Sequence, residues 1–133
     1  MPGNEFESKT RSPAADAIAP DGSEVRVLCN TSRGGVAEFS LSPGAVSRAI
    51  VHRTVDEIWY VLQGAGRMWR GRAGHDEILT LTPGVCLSIP VGVRFQFRCD
   101  GSEALVVLGV TMPPWPGSDE AVFVEGVWPP SGL

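Results

Sequence analysis

Residues 44–64 read GAVSRAIVHRTVDEIWYVLQG, with a glycine at each end. In this stretch His52 and Glu57 are five residues apart, and an odd spacing on one unbroken strand puts side chains on opposite faces. The two share a face only if the chain turns between them, and residues 54–56 suit such a corner. We therefore place His52 at the end of one strand and Glu57 at the start of the next, both pointing inward. The spacing alone is also compatible with an ordinary half-buried histidine and a surface carboxylate.

The stretch resembles the first conserved motif of the cupin superfamily. That motif consists of a glycine, a His-x-His pair, a glutamate and a closing glycine. Its positions are matched here by Gly44, His52, Glu57 and Gly64. The first histidine is the exception, because Ile50 stands in its place.

A second stretch, residues 84–99, resembles the second cupin motif. Gly84, Pro90 and Gly92 match its glycine and its Pro-x-Gly turn. Phe95 replaces the motif's histidine, and its asparagine position holds a cysteine. The residues here alternate, with one apolar face of Val93, Phe95, Phe97 and Cys99 and one polar face of Arg94, Gln96, Arg98 and Asp100. Phe95 is thus predicted to point into the core, where the family's last metal ligand would point.

The two motifs in the correct order imply an all-β fold, the double-stranded β-helix or jelly-roll cupin barrel. The 16 glycines and 11 prolines punctuate many short strands, which favours a sandwich or barrel independently. The predicted strands are Glu24–Cys29, Val36–Leu41, Val46–His52, Glu57–Gln63, Arg67–Arg70, Ile78–Leu81, Val85–Ile89 and Ala104–Met112. The strand Glu57–Gln63 is apolar on both faces, as expected of a strand packed on two sides.

The 133 residues are expected to form one domain. Residues 1–22 are polar and are predicted to be an N-terminal arm, either mobile or adding a strand to a partner. Residues 23–112 would form the barrel. Residues 113–133 are rich in proline, glycine and tryptophan, and are predicted to be an irregular tail packed on the barrel.

The resemblance implies a divalent metal held by three histidines and one glutamate, but only His52 and Glu57 remain as metal ligands. Ile50 and Phe95 have no lone pair to donate, and a zinc site uses three or four protein groups. His75, the other histidine, lies in a glycine-flanked loop and is expected to be solvated. The cofactor prediction is accordingly none, or a weakly bound divalent metal.

Three functions are compatible with this pattern. The first is a small-molecule-binding cupin whose ligand is a sugar or a small acid. Its ligand-binding residues would be His52, Glu57, Trp59, Met68, Arg70 and Phe95. The second is a metal-dependent isomerase or dioxygenase in which water or substrate completes the metal sphere. The third is a non-enzymatic scaffold dimer. The sequence does not decide whether the chain is an enzyme, and it assigns no catalytic residue.

The composition limits the kinds of binding partner that we expect. A net charge of −4 argues against nucleic-acid binding. No apolar run approaches the roughly 20 residues of a transmembrane helix, so no membrane partner is expected. The three cysteines form no CxxC pair, and free thiols are typical of a cytoplasmic protein. A homodimer is expected, because the strand Ala104–Val110 is apolar on both faces and the arm could add to a partner's sheet.

Overall fold

The structure is a computed structural model that describes residues 6–117 and 119–131. Within these ranges the chain forms β-strands and no helix. The strands are β1 (Ala17–Ile18), β2 (Glu24–Asn30), β3 (Gly35–Leu41), β4 (Ile50–His52), β5 (Asp56–Gln63), β6 (Gly66–Arg72), β7 (His75–Leu81), β8 (Cys86–Ile89), β9 (Arg94–Cys99), β10 (Leu105–Met112) and β11 (Ala121–Phe123). No helix in the described ranges has the length and apolar character needed to cross a membrane.

The strands pair into two antiparallel sheets. Sheet A has the order β1-β2-β3-β10-β5-β8, and sheet B has the order β11-β4-β9-β6-β7. Their inner faces meet, and consecutive strands often lie in different sheets, as in a jelly roll. The prediction of an all-β double-stranded β-helix is confirmed.

The core lies between the sheets and follows the two-residue period of a strand. On β5, Trp59 and Val61 are buried and face sheet B. Their neighbours Ile58, Tyr60 and Leu62 are 41%, 46% and 45% exposed on the outer face. The prediction that β5 is packed on two sides therefore fails within the described chain, because only its inner face meets a second sheet.

Two predicted boundaries differ from the structure. β4 is shorter than expected, because residues 46–48 do not pair regularly with one neighbouring strand. Val46 makes only an isolated bridge. The N–H groups of Ser47 and Arg48 donate to the carbonyls of Phe97 and Asp21, which lie in different parts of the chain. β7 is longer, since the turn before it is confined to Ala73 and Gly74, both with positive φ. His75 consequently begins a strand instead of lying in a loop, and its side chain is 84% exposed.

The described part of the arm packs on its own chain. β1 pairs with β2, and Arg26 donates to the carbonyls of Ser12 and Pro13 at 2.9 and 2.8 Å. Arg11 forms an ion pair with Glu38 at 2.8 Å. Residues 1–5 of the predicted arm lie outside the described ranges. The arm thus covers the outer face of β2 and β3 in its own sheet.

The tail crosses sheet B, and one of the side chains that hold it there is Gln96. Gln96 was predicted on a polar outer face, but it is 1% exposed. Its amide donates to the carbonyls of Ser47 and Trp128, at 2.8 and 2.7 Å, and accepts from the N–H groups of Val127 and Trp128, at 2.9 and 3.0 Å. Because the tail lies over β9 at this point, the outward side chain is buried. Residues 118, 132 and 133 lie outside the described ranges.

Candidate functional site

The site is built at the corner between β4 and β5. His52 ends β4, and Glu57 is the second residue of β5. Glu120, in the tail, fixes the corner by accepting hydrogen bonds from the Thr54 N–H and hydroxyl, both at 2.6 Å, and from the Val55 N–H at 3.0 Å. Burial raises the pKa of Glu120, but these bonds outweigh it, and the net pKa is lowered. Sequence reasoning missed Glu120, because its contact with Thr54 spans 66 residues.

The corner brings His52 and Glu57 together inside the barrel. Their side chains are 2% and 4% exposed. His52 Nδ1 and Glu57 Oε1 are 3.7 Å apart, which is too long for a hydrogen bond. Nδ1 is fully buried and has no hydrogen-bond partner among the described residues. The pair therefore leaves an unused nitrogen opposite a carboxyl oxygen.

The second carboxyl oxygen of Glu57 already accepts a hydrogen bond. Trp59 Nε1 donates to Glu57 Oε2 at 2.8 Å. Trp59 is two residues after Glu57 in β5, so the two side chains lie on the same face of the strand. The Trp59 ring is held by Phe39, with 6.1 Å between centroids, and by an edge contact with Phe97 at 4.9 Å. Gly109 of β10 leaves room for this arrangement, because a Cβ there would lie 2.9 Å from Glu57 Oε2. Sequence reasoning placed Trp59 in the lining but missed its hydrogen bond, which the i, i+2 spacing could have suggested.

Burial makes both titratable groups prefer their neutral forms. Burial raises the pKa of Glu57 to about 8, against the lowering effect of the Trp59 hydrogen bond, and the buried carboxyl of Asp21 adds to the rise. Burial also lowers the pKa of His52, against the raising effects of Glu120 and of the Val55 backbone. At neutral pH the site therefore holds an uncharged imidazole and a largely protonated carboxyl group.

The positions of the absent ligands are filled by apolar side chains. Ile50 and Phe95 are 2% and 1% exposed, and they face each other directly across β4 and β9. The Phe95 ring lies edge-on to the His52 ring at 5.2 Å. These contacts exclude water from one side of the imidazole.

Two other predicted lining residues take different places. Met68 is fully buried opposite Phe97, in the packed interior of the barrel. Arg70 donates to the Ser88 carbonyl at 2.7 Å and forms an ion pair with Glu77. Its guanidinium bridges from sheet B to β8 of sheet A, and neither of these two partners is Glu57.

Trp115 also contributes to the site, which was not predicted from the sequence. Its ring lies edge-on to His52, with 5.2 Å between centroids and 72° between planes. Trp115 is 39% exposed, so it separates the buried imidazole from solvent. The tail segment that carries Trp115 follows β10 directly, and it forms the outer wall of the site.

The metal implied by the resemblance does not fit these residues. Only His52 and Glu57 offer donors, and one oxygen of Glu57 already accepts the Trp59 N–H. Across residues 6–117 and 119–131, no three His, Cys, Asp or Glu side chains are grouped as a metal site requires. Ile50 and Phe95 occupy the space of the other ligands.

Comparisons with known proteins agree with the observed fold. The chain is 29% identical over 93 residues to the xanthan biosynthesis protein XanB of Xanthomonas campestris pv. campestris, which covers 70% of this chain but only 19% of XanB. The chain thus spans about a fifth of the length of the curated relatives it matches. CapF, a capsular polysaccharide assembling protein from Staphylococcus aureus, superposes with a TM-score of 0.70 at 21% identity, over 90% of this chain and 35% of CapF.

A second solved structure is Bacillus subtilis oxalate decarboxylase, a protein with Mn(II) centres. It gives a TM-score of 0.69 at 18% identity, over 84% of this chain and 30% of that chain. At these identities the two structures show the fold alone. The sequence model of the cupin domain family matches residues 37–111, which is more than half of the chain. This match spans both motif-bearing stretches and the site between β4 and β5, and the chain belongs to the cupin domain family.

Proposed function

We propose that the chain is a small-molecule-binding cupin that holds an uncharged, hydroxyl-bearing ligand, a sugar, without a metal ion. The binding groups would be His52 and Glu57. The observation that carries the proposal is the buried Nδ1 of His52, which has no hydrogen-bond partner among the described residues and lies 3.7 Å from Glu57 Oε1. A buried polar atom without a partner costs free energy, so a ligand that satisfies it gains that energy back.

The protonation states favour a hydroxyl group. A neutral imidazole can offer the lone pair of one ring nitrogen, and a protonated carboxyl group can donate its proton. Because Trp59 occupies Oε2 of Glu57, the free oxygen is the one that faces His52. A hydroxyl oxygen about 2.8 Å from both groups would donate to Nδ1 and accept from Glu57.

The same reasoning favours a sugar over a small acid. The pKa of Glu57 is raised to about 8 because its charged form is poorly solvated, and a ligand carboxylate would meet the same penalty. The negative charge of Asp21, which contributes to the raised pKa of Glu57, would oppose an anion as well. Arg70, the cation that could have held an acid, is engaged with Ser88 and Glu77.

The relatives support this class of ligand without naming the compound. XanB is a xanthan biosynthesis protein and CapF is a capsular polysaccharide assembling protein. Both proteins are much longer than the region that matches this chain. The idea that this chain also handles a sugar or sugar derivative is part of the proposal.

Entry to the site requires movement of Trp115. Its ring covers His52, and its partial exposure shows that no described layer lies outside it. Ligand binding should therefore change the environment of Trp115, which gives tryptophan fluorescence as a signal.

The test is a binding titration of protein freed of metal by a chelator. The panel contains neutral hexoses and disaccharides, their phosphates, and small hydroxy acids. We expect a neutral sugar to bind, and His52→Leu to weaken that binding by roughly tenfold or more, the effect of a lost buried hydrogen bond. His75→Leu is the matched control, because His75 is exposed and should leave binding unchanged. Binding only of acids, or only after a divalent metal is added, would contradict the proposal.

A further inference from the structure

A cleft lies between the tail and the outer side of sheet B. It is lined on one side by Ala49 and Gln96 and on the other by residues 123–130 of the tail. Its volume is about 610 Å³, and small-molecule sites in proteins have volumes of roughly 300–1,000 Å³. Because Gln96 lies on the outer side of β9, this cleft is separate from the sugar site proposed above, which lies inside the barrel.

The tail is fixed in the position that forms the cleft. Gly126 allows the tail to approach the sheet closely, since a Cβ there would lie 2.2 Å from Gln96 Oε1 and 2.8 Å from the Ala49 Cβ. At the far end of the cleft, the Ser131 hydroxyl accepts from the Val46 N–H at 2.9 Å, and the Ser131 N–H donates to the Val46 carbonyl at 3.1 Å. Together with the four hydrogen bonds of Gln96, these contacts form the cleft in advance, so binding does not require the tail to become ordered.

Two aromatic side chains line the cleft. Phe123 is 55% exposed. The Trp128 ring is half-buried, and the guanidinium groups of Arg67 and Arg98 lie 5.7 and 5.5 Å from its centroid. Both arginines donate to Asp100, which fixes them beside the indole. The cleft therefore offers a rigid aromatic surface, which suits an aromatic ring in the ligand.

The cleft also carries one positive and one negative side chain. Arg48 and Glu125 both line it, and the Arg48 guanidinium lies 5.0 Å from the centroid of the Phe123 ring. Val124 donates to the Ala49 carbonyl at 3.1 Å, so the next residue along each antiparallel segment brings Glu125 beside Arg48. A guanidinium has five N–H donors, so Arg48 can bind an anion while it keeps its contact with Phe123. A ligand that carries both an anionic and a cationic group would complement this pair.

We propose that the cleft binds a free aromatic amino acid. The carboxylate of the amino acid would accept hydrogen bonds from Arg48, because a guanidinium matches the geometry of a carboxylate. Its ammonium group would donate to Glu125, and its aromatic ring would pack against Phe123 and Trp128. Each of the three parts of the ligand has a counterpart in the cleft, whereas an uncharged ligand would leave both charged side chains unused.

Calorimetric titration with L-phenylalanine, L-tyrosine and L-tryptophan tests the proposal. We expect at least one of them to bind with a dissociation constant of about 1 mM or below. Three further compounds each lack one part of the ligand: phenylacetate lacks the ammonium group, phenethylamine lacks the carboxylate, and L-leucine lacks the aromatic ring. Each should bind at least about tenfold more weakly than the best of the three amino acids, because a charged hydrogen bond or the ring contact is lost.

Two variants with matched controls locate the binding. Phe123→Ala should weaken binding at least about fivefold, and Phe6→Ala is its control, because Phe6 is fully exposed in the arm and outside the cleft. Glu125→Gln should weaken binding at least about fivefold as well. Its control is Glu103→Gln, because Glu103 is exposed between β9 and β10 and does not line the cleft.

The three compounds that lack one part of the ligand are tested on the unaltered protein, so the proposal stays testable even if a variant misfolds. No binding of any of the three amino acids up to about 10 mM would overturn the proposal. Equal affinity for phenylacetate and phenethylamine, or variants of Phe123 and Glu125 that bind as their controls do, would overturn it too.

Discussion

The indole N–H of Trp59 donates to Glu57 Oε2 at 2.8 Å inside the barrel. In the cupin pattern, a metal cation would stand beside this carboxyl group. Here its partner is a neutral donor from the same strand, surrounded by aromatic rings. A neutral donor does not supply the charge that keeps a buried carboxylate ionised, which agrees with the raised pKa of Glu57.

Replacing Trp59 with phenylalanine should leave Glu57 Oε2 without its donor. We expect Trp59→Phe to lower the free energy of unfolding by about 1–3 kcal/mol more than Trp69→Phe does, the cost of a buried group left unsatisfied. Trp69 is the matched control, because its Nε1 is also buried but donates to no described group. Urea denaturation of both variants measures the difference, and equal losses would show that the Trp59 bond contributes nothing.

The raised pKa of Glu57 predicts how stability depends on pH. Between 4.5, the ordinary pKa, and about 8, the folded chain binds more protons at Glu57 than the unfolded chain. This contribution to the free energy of unfolding is therefore fully present below 4.5 and is lost as pH rises to about 8. Asp21, whose pKa is also raised, contributes with the same sign, and His52, whose pKa is lowered, contributes with the opposite sign.

The variant Glu57→Gln shows how much of this pH dependence of stability comes from Glu57. The amide is neutral at every pH, so the variant should lose less stability than the wild type between pH 5 and pH 8, with a difference on the order of a few kcal/mol. Denaturation midpoints measured across this range provide the comparison. Parallel curves for the two proteins would mean that Glu57 does not titrate differently on folding.

Restoring the two absent ligands should restore metal binding. Ile50 and Phe95 face each other across β4 and β9, so histidines at both positions would join His52 and Glu57. We expect the double variant Ile50→His/Phe95→His to bind Mn²⁺ or Zn²⁺ at least about a hundredfold more tightly than the wild type, because four donors replace two. Calorimetric titration measures both affinities, with each single variant as a control. A wild type that retains about one equivalent of metal after dialysis would contradict this expectation.

Gln96 should hold the tail to the barrel. Its buried amide makes four hydrogen bonds, to Ser47, Val127 and Trp128. We expect Gln96→Ala to cost about 2–4 kcal/mol of stability, since it leaves several buried backbone groups unpaired, and to speed proteolysis of the tail. Gln63→Ala is the control, because Gln63 is exposed and donates one bond, to Ala104. Similar losses in both variants would show that Gln96 does not fasten the tail.

The sequence predicted the fold because its signals are local. Glycines and prolines mark the turns, the alternation of Val93, Phe95, Phe97 and Cys99 marks a strand face, and the spacing of His52 and Glu57 requires a corner. Each of these signals lies within a few residues of the structure it predicts. The pairing of strands then follows from the family resemblance.

The parts of the site that the sequence missed depend on distant contacts. Trp115 and Glu120 reach the corner from the tail, and nothing near them in sequence indicates this. Gln96 looked solvent-facing because the alternation of β9 cannot show that a later segment covers it. The partners of Arg70 were also hidden, since they lie on β7 and β8.

The protonation state of His52 tests most directly whether the site holds two neutral groups in place of a metal centre. The measurement is an NMR pH titration of the His52 imidazole in protein freed of metal. We expect a pKa below 6.5 for His52, because burial disfavours the imidazolium ion. We also expect little change of this pKa in Glu57→Gln, since Glu57 is largely uncharged in that range. A His52 pKa above 6.5 that falls in Glu57→Gln would instead show a charged imidazolium–carboxylate pair, and the site would not hold two neutral groups.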